Sequence, residues 1–163
     1  MCGFVWETVC REEIGGRVRQ GSLEIVDELL ADPVGSTRRP SERRWSSLEY
    51  GAHVRDVLLH LRDRFVIGLV EDHAAFKPLY RDERVDLGLY GGDEVIVVAD
   101  ELAMSAALFE RTFNRIPAQL LDRLCVYTFP VLTDRTLLWM GQQAVHEVEH
   151  HARDVAENSA TAH

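Results

Sequence analysis

Four stretches of the chain repeat their apolar residues at helical spacing. From Glu12 to Ala31, Ile14, Val18, Ile25, Leu29 and Leu30 recur along one face. Gly15, Gly16 and Gly21 interrupt this stretch. Each weakens a helix by about 1 kcal/mol relative to Ala, so its first half is expected to be irregular. Asp32-Pro33 ends it, and residues 35–40 read as a loop. The second stretch has the clearest start. Ser46-Ser47-Leu48-Glu49 fits a capping box, in which the Ser46 hydroxyl takes the Glu49 amide and the Glu49 carboxylate takes the Ser46 amide. Tyr50, Val54, Val57, Leu58, Leu61, Phe65 and Leu69 then form one stripe to about Val70. The third, from about Asp93 to Arg115, carries Val98, Leu102, Phe109, Phe113 and Ile116 and is closed by Pro117. The fourth starts near Thr133 or Asp134 and runs to about Glu157, with Leu137, Ala144, Val148 and Val155 as its stripe.

Four helices and little strand signal predict an all-α fold, a four-helix bundle over residues 11–157. Residues 1–10 read as a loosely attached arm and 158–163 as a disordered tail. Residues 72–92, with Pro78, Gly88, Gly91 and Gly92, read as a long loop of the kind that commonly covers a site. Residues 125–132 are expected to cross the end of the bundle as an extended connection.

Composition narrows the partners. A chain of 163 residues with 46% apolar and 28% charged residues fits one domain of ordinary soluble balance. Its net charge of −9 disfavours nucleic acid and anionic membrane surfaces. No apolar run reaches the ~20 residues of a membrane span, and the first residues lack the basic, then apolar, pattern of a signal peptide. Cys2, Cys10 and Cys125 are odd in number with no C-x-x-C pair, which points to a reducing cytoplasm.

The candidate chemistry lies in His146-Glu147-Val148-Glu149-His150-His151. His146 and His150 are one helical turn apart, ~5–6 Å between Cβ atoms, a separation that suits one divalent metal. Read literally the string is also H-E-x-x-H, the zinc-peptidase signature. A peptidase needs a third ligand downstream, and the extension that supplies it would place Gly at 153 and His at 156. The chain has Arg153 and Ala156, and it shows no strand edge to hold a peptide, so this reading is set aside. His146 and His150 lie nearly opposite the apolar stripe of their own helix. Either that helix is wedged between neighbours or the two histidines face solvent. Upstream, His53 lies just beside the stripe of the second helix, with Glu49, Asp56 and His60 on the same flank.

At this point the chain resembles a known family. Trp45-Ser46-x-x-Glu49-x-x-x-His53-x-x-Asp56, followed by His146-Glu147-x-x-His150-His151, is similar to the DinB superfamily over roughly residues 41–156. These are four-helix metalloproteins that include thiol-dependent transferases and the metal-binding domain of mycothiol-dependent maleylpyruvate isomerase. The resemblance implies a divalent metal, zinc first and nickel second, held by His53, His146 and His150 with one position open. It leaves out His151, rotated about 100° from its neighbour. It also implies a low-molecular-weight thiol such as mycothiol or bacillithiol as cosubstrate, and transfer to, or isomerisation of, a small electrophile. Glu147 is then a candidate to orient a ligand or carry a proton. Glu49, Asp56 and Asp154 are candidates to support the ligands, and Arg153 and Trp139 to bind substrate. The partners expected are a small molecule and a second copy of the chain. Two other readings stay open: a hydrolase using metal-bound hydroxide, and a non-catalytic metal-stabilised bundle or dimer. A cavity beside the open position separates the catalytic readings from the last.

Overall fold

A computed structural model describes residues 4–128 and 131–161. Its elements in order are α1 (Arg11–Ala31), α2 (Pro33–Ser36), α3 (Ser47–Val70), α4 (Arg81–Asp86), α5 (Val95–Asn114), β1 (Leu124–Tyr127), β2 (Thr133–Thr136) and α6 (Leu137–Thr161). The four long helices form the bundle. α1 and α3 each pack against both α5 and α6, so α1 faces α3 across the diagonal and α5 faces α6. The first and second long helices, and likewise the third and fourth, therefore sit at opposite corners, while α3 and α5 are neighbours. No helix is long and apolar enough to cross a membrane, among the described residues.

The apolar stripes fill the centre. Ile14, Val18, Ile25 and Leu29 of α1 and Leu58, Leu61 and Phe65 of α3 are buried there. They meet Val98, Leu102, Phe109 and Phe113 of α5 and Leu137, Ala144, Val148 and Val155 of α6. The capping box of α3 forms as read: Ser46 N–H donates to Glu49 Oε2 at 2.8 Å and Glu49 N–H to Ser46 Oγ at 3.2 Å.

α1 runs unbroken through all three glycines, where an irregular first half was expected. Tertiary approach is the reason. A Cβ on Gly21 would stand 2.7 Å from Val148 Cγ1, and one on Gly15 would stand 2.7 Å from Asn114 Oδ1. Losing the side chain costs helix propensity but lets α1 lie closely against α6 and α5.

The connections differ more from expectation. The long loop contains the short α4, tied to α3 by Arg84 Nη1–Asp56 Oδ2 at 2.5 Å. Residues 133–136 are a strand rather than the start of a helix. They pair antiparallel with β1 in the register Leu124↔Thr136 to Tyr127↔Thr133. α6 begins only at Leu137, because the Thr136 hydroxyl accepts the Trp139 amide at 3.1 Å and caps it there. Phe129 and Pro130 of the expected crossing segment lie outside the described residues, as does Cys2.

Both ends are held by side chains of the bundle. Gln142 Nε2 donates to the Val9 carbonyl at 3.1 Å and Trp6 Nε1 donates to Gln143 Oε1 at 3.0 Å, so the arm from Phe4 onward is pinned to α6. At the other end α6 continues past 158. Asn158 Nδ2 donates to the Trp45 carbonyl at 3.0 Å and the Ser159 hydroxyl to Glu28 at 2.6 Å. Of the expected tail, Ala162 and His163 lie outside the described residues.

Candidate metal centre

The centre forms where α3 and α6 lean together near the arm. Taking the middle of the α6 apolar stripe as reference, His151 lies only about 40° away and Glu147 about 80°. Both therefore point toward α3. His53, 1% exposed, meets them from α3. His53 Nε2 and His151 Nε2 each stand 3.6 Å from Glu147 Oε2, too far for a hydrogen bond. The two imidazoles approach edge to face, 5.0 Å between ring centroids. Trp45 packs on His53 at 5.4 Å and Tyr50 stacks on His151 at 5.2 Å, which fixes both rings.

Three ligand-type groups thus converge, and their ligand atoms all lie within 4.8 Å of one another. Both nitrogens of His53 and Nε2 of His151 are buried with no hydrogen-bond partner. Leaving such groups unsatisfied costs about 1–3 kcal/mol each, so their convergence on one carboxylate oxygen is what a cation site requires. The residues fit a divalent metal. His151, Asp154 and the more exposed His150 form a second such group, sharing His151 with the first.

Hydrogen bonds orient two of these three. Asp154 Oδ2 sits 2.9 Å from His151 Nδ1, so that nitrogen carries the proton and Nε2 turns its lone pair toward His53 and Glu147. Gln143 Nε2 donates to Glu147 Oε1 at 2.6 Å, which leaves Oε2 facing the imidazoles. The Gln143 amide has its direction set by Trp6, whose indole can only donate.

The electrostatics follow from this packing. Burial pushes the Glu147 carboxyl up, but the imidazoles of His146, His151 and His53 outweigh it and hold Glu147 well below the usual carboxylate range. Burial draws His151 down, yet Asp154 and Glu147 together raise it above its ordinary value. His53 stays lowered, because its burial exceeds what Glu147 contributes.

The expected ligand set is only partly brought together. His53 is at the centre, while His146 and His150 point to the next face of α6. Their rings stack on one another at 5.7 Å. His146 is covered by Phe4 at 5.1 Å and Trp6 at 5.0 Å, and the His150 side chain is 42% exposed. One residue of register separates the two pairs. Glu147, expected beside the centre, lies in it, and His151, left out by the sequence reading, replaces His150 opposite His53.

The remaining expected residues divide. Asp154 holds His151. Glu49 is taken up by its capping box and by Arg39, whose Nη2 lies 2.5 Å from Glu49 Oε1. Asp56 serves Arg55 and Arg84 at the base of α4. Arg153 is exposed, with Nε donating to the Glu149 carbonyl at 3.0 Å. Trp139 lines a cavity of about 640 Å³ that opens on His53, His146 and Glu147. The segment 78–83 forms part of its wall, so the long connection does help cover the site. Trp6, Gln143, Arg64 and Tyr127 also line it, and nothing local in the sequence singles them out.

Comparison with known proteins follows the same lines. The structure is similar to YfiT from Bacillus subtilis, described as a probable metal-dependent hydrolase with an unusual four-helix bundle topology. The TM-score is 0.82 at 14% identity, over 94% of this chain and 90% of that one. It is also similar to the mycothiol-dependent maleylpyruvate isomerase, with a TM-score of 0.74 at 15% identity over 93% of this chain. There it spans 63% of the longer chain, less than two thirds of that protein. Identities this low establish a shared fold and nothing finer. Comparison with curated protein sequences gives no match. The DinB superfamily model matches residues 16–155, nearly the whole bundle, and the chain belongs to that superfamily.

Proposed function

We propose that this protein is a metal-dependent enzyme whose divalent cation, zinc before nickel, is held by His53, Glu147 and His151. In this reading it uses a low-molecular-weight thiol to modify or isomerise a small electrophile. The observation that carries the metal assignment is the pair of buried, partnerless imidazole nitrogens of His53 and His151 facing Glu147 Oε2. Two imidazoles and one carboxylate are a donor set typical of catalytic rather than structural zinc. A cation so placed supplies Lewis acidity and stabilises an anionic sulfur or oxygen near neutral pH.

The chain's own residues supply position and shelter. Asp154 fixes the His151 tautomer, and Gln143 fixes the Glu147 carboxylate. Trp6 and Trp139 give the cavity aromatic walls beside the centre, while His53 and Glu147 reach its surface. A cavity of this volume beside the metal ligands favours a catalytic centre over a metal that only stabilises the bundle. The thiol half of the reading is supported by the likeness to the mycothiol-dependent isomerase. The hydrolase reading is supported by the likeness to YfiT, which this chain matches over nearly its full length. The two separate in one assay. Metal-loaded protein is mixed with a small electrophile, with and without mycothiol or bacillithiol, and His151→Ala is the control. Turnover that requires both the thiol and His151 supports the thiol reading. Turnover of esters or amides without thiol replaces it with hydrolysis.

A further inference from the structure

The cavity has a second end, and its chemistry differs from that of the metal centre. Arg64 lies eleven residues after His53 on α3, three turns along the same face and roughly 16 Å of helix rise away. Its side chain is only 6% exposed, yet it lines the cavity. The guanidinium lies between two rings, 5.0 Å from the centre of Tyr127 and 5.3 Å from that of Phe76, and one Nη2 hydrogen goes to the Lys77 carbonyl. The ionisable groups facing it are His60, which burial and the Arg64 charge hold below its ordinary value, and Tyr127 and Cys125. Burial raises the last two, the thiol to about 11, so both are neutral at neutral pH. Arg64 is thus a buried cation with no carboxylate partner among the described residues. Among the described residues every half-buried arginine has a carboxylate within 4.0 Å, as Arg84 has Asp56 and Arg123 has Asp72.

Burying a guanidinium without a counter-ion is costly unless something else supplies the charge. The Lys77 carbonyl uses one of its five donors. His60, one turn earlier on the same face, adds a buried Nε2 that also lacks a partner and also lines the cavity. Between this end and the metal centre the wall is apolar: Val57, Leu61, Leu79 and Trp139. The carboxylates of Asp82 and Glu83 lie on exposed residues at the rim.

We infer that this end of the cavity is an anion subsite, in which Arg64, supported by His60, takes the carboxylate of a small organic acid with an apolar body. The subsite rests only on the cavity and on Arg64. That the other half of the molecule reacts at the metal rests on the proposed function. Arg64 then fills the substrate-holding role that the sequence suggested for Arg153, which is outside the cavity.

The test compares a carboxylate with its neutral twin. Ligand-observed NMR titration of 4-phenylbutyrate and 4-phenylbutyramide against metal-loaded protein should show the acid binding about tenfold more tightly. Arg64→Gln keeps a donor for the Lys77 carbonyl but removes the charge, and should abolish that preference while leaving metal affinity unchanged. Arg153→Gln should leave the preference intact. His151→Ala should lose the metal and keep the preference, which separates the subsite from the metal assignment. Equal binding of acid and amide to the unaltered protein overturns the inference without reference to any variant. So does a preference that survives Arg64→Gln and disappears with His151→Ala, since the carboxylate would then sit on the metal.

Discussion

α6 carries two pairs of residues of metal-ligating type with the same spacing, and they have opposite surroundings. His146 and His150 stack on each other beside the aromatic arm, with the second side chain 42% exposed. Glu147 and His151, one residue further on, turn into the bundle and meet His53. The i, i+4 spacing makes either pair a possible chelate. What decides is the third group and the burial that leaves nitrogen lone pairs without water or protein to bind. A metal-ligand spacing therefore has to be read together with the helix face it falls on.

The sharpest way to break this comparison is to remove one histidine from each pair. His151→Ala should lower metal affinity at least about a hundredfold, since it deletes a ligand from a three-ligand set. His150→Ala should change it less than about threefold. Competition with a chromogenic chelator reads both. The reverse order would return the site to His53, His146 and His150.

The support of the inner pair comes next. Asp154→Asn keeps the shape but no longer holds the His151 Nδ1 proton with a charge, and metal affinity should fall about 10- to 100-fold. The outer pair depends on Asp154 only through the 3.7 Å approach of His150 Nε2, so a site built on His146 and His150 would lose far less.

Part of this was legible beforehand. The capping box and stripes placed α3 and α5 to within about two residues, because each long helix states its own face many times over. The stripe of α6 also gave the inward direction of His151, which lies within its angular width. The H-E-x-x-H string drew the reading to the neighbouring face instead. The strands of the hairpin are four residues each, too short to show alternation against the helical pattern that follows them. Trp6 and Arg64 acquire their roles only from partners 137 and 13 residues away in the chain, contacts that no local pattern encodes.

Acidity distinguishes the pairs by sign. Asp154 and Glu147 raise His151 above the ordinary value of 6.5, so the metal-free protein keeps a proton that the cation must displace. Apparent affinity should climb with pH, up to about tenfold per unit, and level off only above 6.5. The same proton stabilises the metal-free fold fully below the unfolded value near 6.5, and that contribution is lost as pH rises through the raised one. His150 is lowered instead, by burial and by its charged neighbour His151. His150 itself would therefore add no proton competition above 6.5. A pH series of chelator competitions locates the plateau.

The smallest expected effect concerns Gln143, which reaches the inner pair from outside. Its Nε2 holds Glu147 Oε1 at 2.6 Å, and its Oε1 accepts the Trp6 indole at 3.0 Å. The indole can only donate, so the amide has one orientation, and the carboxylate is left with one free oxygen toward His53 and His151. Gln143→Leu preserves the volume on α6 and removes both bonds. The carboxylate then turns freely about its last torsion, and metal affinity should fall about three- to tenfold, less than for Asp154→Asn because Glu147 keeps its charge. Trp6→Phe removes only the bond that orients the amide and should give a smaller loss in the same direction. If Gln143→Leu leaves affinity unchanged while Trp6→Phe alters it, the arm acts through its stacking on His146, and the chain of contacts from Trp6 to Glu147 has no part in holding the metal.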